Sequence, residues 1–100
     1  MDRLDLYRIF ARVVETRSFT RAADGLQMPR STVSTAVAEL EARLGARLLQ
    51  RTTRSVSPTP EGEALHQRCL PLLSEAEDVE TMFRAATRQI QGRVRVDVPG

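Results

Sequence analysis

Residues 17–44, RSFTRAADGLQMPRSTVSTAVAELEARL, decide how this chain is read. They divide into two amphipathic helical stretches joined by a very short turn. In the first, Ser18 is a good N-cap, and Phe19, Ala22, Ala23 and Leu26 share one face. The two alanines let a neighbouring helix come close, Gly25 weakens the helix near its end, and Gln27 and Met28 form the turn. In the second, Pro29 is expected at the first helical position, where its missing N–H costs nothing. Val33, Val37, Leu40 and Leu44 form the expected buried stripe with Ala36 beside it, and Gly45 supplies a left-handed stop. The tip of this helix carries Arg30, Ser31, Thr32, Ser34 and Thr35 on the face away from the stripe. A short helix set tightly against a second one tipped with arginine and hydroxyls is how a protein lays a helix end in the major groove of DNA. An ordinary solvated face would explain the Ser and Thr residues equally well in isolation. The flanking segments decide against it.

Towards the N-terminus, Leu6, Ile9, Phe10, Val13 and Val14 recur at helical spacing over residues 3–16. Asp2 can cap this helix and Asp5 suits its first turn, so a core-forming support is expected. Beyond Gly45, residues 46–58, ARLLQRTTRSVSP, change to strand character. Leu48–Gln50 and Ser55–Ser57 are short β-compatible runs around the turn-like Arg51, Thr52, Thr53 and Arg54. That is a two-stranded wing whose arginines could enter a minor groove or lie along phosphates.

Thr59, Pro60 and Glu61 make a strong helix start of cap, proline and acid. Leu65, Cys69, Leu72, Ala76, Val79, Phe83, Ala86 and Ile90 then recur at alternating steps of four and three, a heptad seam widened by Leu73 and Met82. Such a helix over 60–90 would run about 45 Å at ~1.5 Å per residue, too long to cover its stripe on a small head. A second copy is the simplest cover, so a homodimer is expected. Pro71 removes one backbone hydrogen bond and predicts a local kink, with the seam in phase across it. Cys69 reads as a packed seam residue and His66 as a solvated helix position. Residues 93–98, RVRVDV, alternate as a strand does, and the tail 92–100 reads as the truncated start of a further domain.

The chain has 100 residues, enough for one small domain and an appendage. Its net charge is only +2 but unevenly placed: ten arginines face six acids through residue 58, and five face seven thereafter. The polyanion-binding surface is therefore expected in the first half. Lysine is absent; base composition accounts for that more readily than function does, although arginine is the better fork for phosphate and guanine. No apolar run approaches a membrane span, and MDRLDLYRIF lacks the order of a signal peptide. One cysteine and one histidine offer neither an internal disulfide nor a metal site. A cytoplasmic protein with no membrane partner and no cofactor is expected. No nucleophile–base pair or phosphate-cradling glycine loop is present, so no enzyme is expected.

The stretches SFTRAADGL, MPRSTVSTAVAELEARLGARLLQRTTR and TPEGEAL, in this order and spacing, resemble the N-terminal region of LysR-type transcriptional regulators over residues 3–92. The resemblance implies a mainly α fold. A winged helix–turn–helix of three helices and a two-stranded β-wing (1–58, helix–turn–helix about 18–37, wing about 46–57) would precede a long dimerisation helix (59–91). It implies a bacterial regulator of transcription that binds interrupted inverted repeats in double-stranded DNA as a homodimer, with tetramers in the full-length protein. A small-molecule coinducer would act only through a C-terminal domain absent here. By the same resemblance Ser18 and Thr20 approach phosphates, and Ser31 and Ser34 occupy the recognition-helix serines. Arg51 and Arg54 take the wing's basic positions. The chain departs from the family pattern at Pro29–Arg30, at Thr35 and at Pro58. The expected DNA-binding set is thus Ser18, Thr20, Arg30, Ser31, Thr32, Ser34, Thr35, Arg51, Thr53 and Arg54. The competing reading is a coiled-coil adaptor with no specific DNA site. The seam suits it equally, but the arginine- and hydroxyl-tipped helix suits it less, because protein-binding faces favour aromatic anchors.

Overall fold

A computed structural model describes residues 1–52 and 55–97, with the side chains of the last helix described as far as Ala85. The elements in chain order are α1 (Arg3–Thr16), α2 (Phe19–Leu26), α3 (Arg30–Leu44), β1 (Leu49–Arg51), β2 (Val56–Pro58) and α4 (Pro60–Asp97).

Local chemistry sets the helix ends. Asp2 and Asp5 form a reciprocal capping box at the start of α1, the Asp5 N–H donating to Asp2 Oδ1 at 2.9 Å and the Asp2 N–H to Asp5 Oδ2 at 3.3 Å. Arg17 ends α1 in the left-handed conformation, φ 55°, its N–H donating to the Val13 carbonyl. Ser18 then caps α2, its Oγ accepting the Arg21 N–H at 3.1 Å. Gln27 is left-handed as well, φ 57°, and the Met28 N–H reaches back to the Ala23 carbonyl at 3.1 Å. Pro29 is extended (φ −63°, ψ 148°) and precedes α3 instead of opening it. The turn needs one extended residue to redirect the chain between two packed helices, and the fixed φ of proline serves there. Gly45 stops α3 at φ 66°.

The three helices close on Phe10, Leu6, Ile9 and Val13 of α1, Phe19, Ala22 and Ala23 of α2, and Val33, Ala36, Val37 and Leu40 of α3, all buried. Leu44 is not part of this core: it is 47% exposed, at the rim of an open cleft with Arg3, Tyr7 and Arg43. There α3 and α1 part across the cleft, with Leu44 at its rim instead of in the core.

β1 and β2 pair antiparallel, Leu49 opposite Pro58, Gln50 opposite Ser57 and Arg51 opposite Val56. Both strands lie one residue later than the apolar pattern predicts, and Leu48 sits at the junction before β1. Its N–H donates to Glu41 Oε2 at 2.8 Å and its carbonyl accepts the Thr59 N–H at 3.0 Å. Thr59 is itself buried; its hydroxyl donates to the Arg47 carbonyl at 2.6 Å and accepts the Gly62 N–H at 3.0 Å. Gly62 approaches this joint so closely that a Cβ there would overlap the Leu48 carbonyl.

From the joint α4 runs 38 residues, without interruption at Pro71. It passes antiparallel to α1, with His66 near Glu15 at one end and Val79 near Leu4 at the other. The heptad seam is divided. Cys69 is fully buried in the head's own core, with Leu65 and Leu73 packed against it, whereas Leu72, Val79, Met82 and Phe83 are 43–65% exposed. Cys69 is therefore not available to a second chain, and burial pushes its thiol up to about 11. His66 is not a solvated position either: its Nε2 is buried 3.8 Å from Glu15 Oε2. The strand expected at 93–98 is helical through Asp97, and Val98 lies outside the described residues. With no strand alongside to pair with, those backbone groups find their hydrogen bonds by continuing the helix. Among the described residues no helix is long and apolar enough to cross a membrane.

Helix propensity alone predicts that Gly62→Ala stabilises the protein by up to about 1 kcal/mol. The overlap with the Leu48 carbonyl reverses the sign. Urea unfolding followed by circular dichroism should show a loss of about 2 kcal/mol or more, and an unchanged or raised midpoint would refute the close approach.

Candidate nucleic-acid interface

Among the four helices, α3 alone lacks a side-chain cap: Asp2, Ser18 and Thr59 serve the others, but Pro29 has no side-chain donor or acceptor. The amides of Arg30 and Ser31 find no acceptor among the described residues, the first turn being closed only by Thr32 and Val33 donating to the Pro29 carbonyl. The positive end of a 15-residue helix dipole is thus left open. Around it Arg30, Ser31 and Thr35 are exposed and Thr32 and Ser34 half-buried. Arg30 makes no ion pair among the described residues, so its guanidinium is not committed within the chain. Ser31, Thr32 and Thr35 border one shallow cleft with Met1 and Glu39.

The wing is fastened beside α2. The Val56 N–H donates to the Arg17 carbonyl at 3.4 Å, tying β2 to the corner between α1 and α2. The Arg51 guanidinium lies over the Phe19 ring, 4.4 Å from its centroid. Arg51 is consequently held next to Ser18 and Thr20, not out at a hairpin tip. The turn beyond it is closed by Thr52 and Ser55, the Thr52 N–H donating to the Ser55 carbonyl at 2.9 Å and Thr52 Oγ1 accepting the Ser55 N–H at 3.0 Å. Thr53 and Arg54 lie outside the described residues, as do the side chains of Ala86 and Ile90.

The expected set therefore falls into two patches, the α3 tip and the Ser18–Thr20–Arg51 cluster. Ser18 is half-buried and its hydroxyl oxygen is engaged in capping, leaving only its proton to offer a phosphate. Sequence reasoning did not find the Phe19–Arg51 stack. Phe19 carries the periodicity of a core residue and is 4% exposed, and nothing in the spacing of the two residues announces the contact. It also did not find the open end of α3, although a proline in place of a hydroxyl cap was a readable signal.

These features define a winged helix–turn–helix DNA-binding domain. The family model described as "Bacterial regulatory helix-turn-helix protein, lysR family" matches residues 4–63, and the chain belongs to that family. It is 45% identical over 97 residues to an HTH-type transcriptional repressor of Pseudomonas aeruginosa and 40% identical over 99 residues to the HTH-type transcriptional regulator YhjC of Escherichia coli. These matches take in 97% and 99% of the chain but only 31% and 33% of those proteins, so the chain spans about a third of their length. Among solved structures, the BenM DBD in complex with catB site 1 DNA is 39% identical with a TM-score of 0.78, covering 85% of this chain and 93% of that one. Corynebacterium glutamicum OxyR, as its hydrogen peroxide-bound C206S mutant, gives a TM-score of 0.82 at 33% identity, covering 84% of this chain and 26% of that one.

Ser18→Ala removes the hydrogen bond that starts α2. The expected loss is about 0.5–2 kcal/mol in thermal or urea unfolding of the free protein. Unchanged stability would mean that the Ser18 hydroxyl contributes nothing to capping.

Proposed function

We propose that this chain recognises a specific DNA sequence as a homodimer and regulates transcription from a bacterial promoter. The observation that carries the reading is the open tip of α3, where uncapped amides, an uncommitted Arg30 and the hydroxyls of Ser31 and Thr35 are presented together. Arg30 is suited to fork onto a guanine edge, with Ser31, Thr32, Ser34 and Thr35 contacting bases or phosphates. The open helix end favours a backbone phosphate. Ser18, Thr20 and Arg51 add backbone contacts that set register but do not themselves read sequence; Thr53 and Arg54 extend the wing's share.

The exposed part of the α4 seam supports the dimer. Leu72, Val79 and Phe83 follow heptad spacing, widened by Met82, and are largely exposed. On this reading residues 1–58 are the DNA-binding head and 59–91 the dimerisation rod, with 92–100 leading towards an effector-binding domain. The target is an interrupted inverted repeat, because a two-fold protein matches a two-fold site. Tetramers and control by a small-molecule coinducer belong to the full-length protein on the same reading.

Selection of bound duplexes from a random pool should enrich a two-fold-symmetric site. Against that site Arg30→Ala should cost about 1–3 kcal/mol and relax one base position per half-site, with little effect on random DNA. Equal losses on both would remove Arg30 from base readout. Phe83→Asp places a charge in the exposed seam and should shift the sedimenting species from dimer to monomer. An undisturbed dimer would put the interface elsewhere.

A further inference from the structure

The position of Arg51 restricts what the wing can do. Its guanidinium carbon lies over the Phe19 ring, 4.4 Å from the centroid, and Phe19 is the first residue of α2. Arg51 closes β1 opposite Val56, whose N–H is bonded to the Arg17 carbonyl immediately before Ser18. Two independent contacts, one from each strand, therefore pin the wing to the start of α2. Stacking occupies the face of a guanidinium and leaves its N–H edge free, and that edge is the part matching the paired oxygens of a phosphate. A cation held over a ring also loses less side-chain freedom when it binds.

We propose that Phe19 is a positioning residue that aims Arg51 at a backbone phosphate beside α2, so that the wing base acts as a phosphate clamp and not as a minor-groove probe. This rests on the DNA reading above and specifies the group that Arg51 takes. Arg51 contributes to affinity equally on all sequences, and removing the Phe19 ring weakens binding through Arg51 even though the ring itself is buried and touches no DNA.

The test is fluorescence anisotropy of the 100-residue chain on specific and random duplexes across a salt series. Parent, Arg51→Gln, Phe19→Leu and the double variant are compared, with thermal melts alongside. Arg51→Gln should reduce the magnitude of the log-affinity against log-salt slope by about one on both duplexes. Phe19→Leu should weaken binding about 2–5-fold, the size of one exposed cation–π contact, and flatten the slope in the same direction. The double variant should bind no more weakly than Arg51→Gln alone. Additive losses, or Phe19→Leu with parental affinity and slope, would overturn the proposal, as would an unchanged slope for Arg51→Gln. Should Phe19→Leu fail to fold, Arg51→Lys leaves the core intact and keeps the charge while giving up the planar stack. It should bind about 2–5-fold more weakly than the parent, and parental affinity for Arg51→Lys would overturn the proposal. A parent chain that ignores every duplex in dilute buffer overturns the DNA reading itself, and this proposal with it.

Discussion

The backbone of Leu48 ties the two halves of the molecule together. Its N–H is held by Glu41 of α3 and its carbonyl by the Thr59 N–H at the start of α4. Thr59 reaches back to Arg47 and caps Gly62 with the same hydroxyl. A hydrogen-bonded path thus runs from α3 through one residue into α4, in a buried setting where an unmade bond is costly. The nearby Arg47–Glu41 pair adds little, because it spans 3.9 Å and Arg47 is 81% exposed. What matters is the Glu41 carboxylate as an acceptor. The angle between α3 and α4 is set here, and in a dimer formed along α4 that angle decides how far apart two α3 tips stand. The exclusion of any side chain at Gly62 is the steric counterpart of the same constraint.

The packing of α4 follows from that joint. Held antiparallel to α1, the helix first spends its apolar face on its own head, through Leu65, Cys69 and Leu73. Exposure along the seam begins at Leu72, still beside α1, and is greatest at Met82 and Phe83. One heptad stripe therefore serves two surfaces in succession. The helix does not need to be hydrophobic all round to do this. The stripe stays in register while the covering surface changes from α1 to whatever lies beyond it. Exposed side chains as large as Met82 and Phe83, 61% and 65% accessible, need a cover if the helix is to be stable in water.

Local chemistry in the sequence was legible almost residue by residue. Asp2, Ser18 and Thr59 cap the helices they were expected to cap, Gly45 stops α3, and the apolar periods of α1 and α2 are the core. What could not be read there depends on partners distant in sequence. The heptad pattern says that a face will be buried but not by what, so Cys69 and Phe83 look equivalent in the sequence and are opposite in the structure. Leu44 fits the stripe of α3 but lies at the rim of an open cleft against α1. The wing strands lie one residue later than their β-compatible runs, and the contacts of Leu48, with Glu41 through its N–H and with Thr59 through its carbonyl, come from residues on either side of the hairpin. His66 meets Glu15 only because α4 folds back along α1. Alternation at 93–97 marks a strand only if another strand lies alongside. The same limit applies to the interface: the residue types at the α3 tip were readable, whereas the place of Arg51 was not, since it depends on a ring that periodicity assigns to the core.

The uncapped start of α3 gives up stabilisation that a side-chain cap would supply. A hydroxyl or carboxylate at position 29 could bond an amide of the first turn, as Asp2, Ser18 and Thr59 do in theirs, and typically stabilise the protein by about 1 kcal/mol. It would also fill the end of the helix with an acceptor of its own and repel or displace any other. Proline avoids this, since it fixes the backbone entering the helix while offering nothing to the amides of Arg30 and Ser31. Arg51 differs in kind: its guanidinium lies over the Phe19 ring, which offers its N–H groups no side-chain oxygen. At both places the neighbouring group is apolar or lacks a side-chain acceptor, so the donors are not satisfied within the described chain. On the DNA-binding reading proposed above, that combination leaves donors for an anion that the chain itself does not occupy.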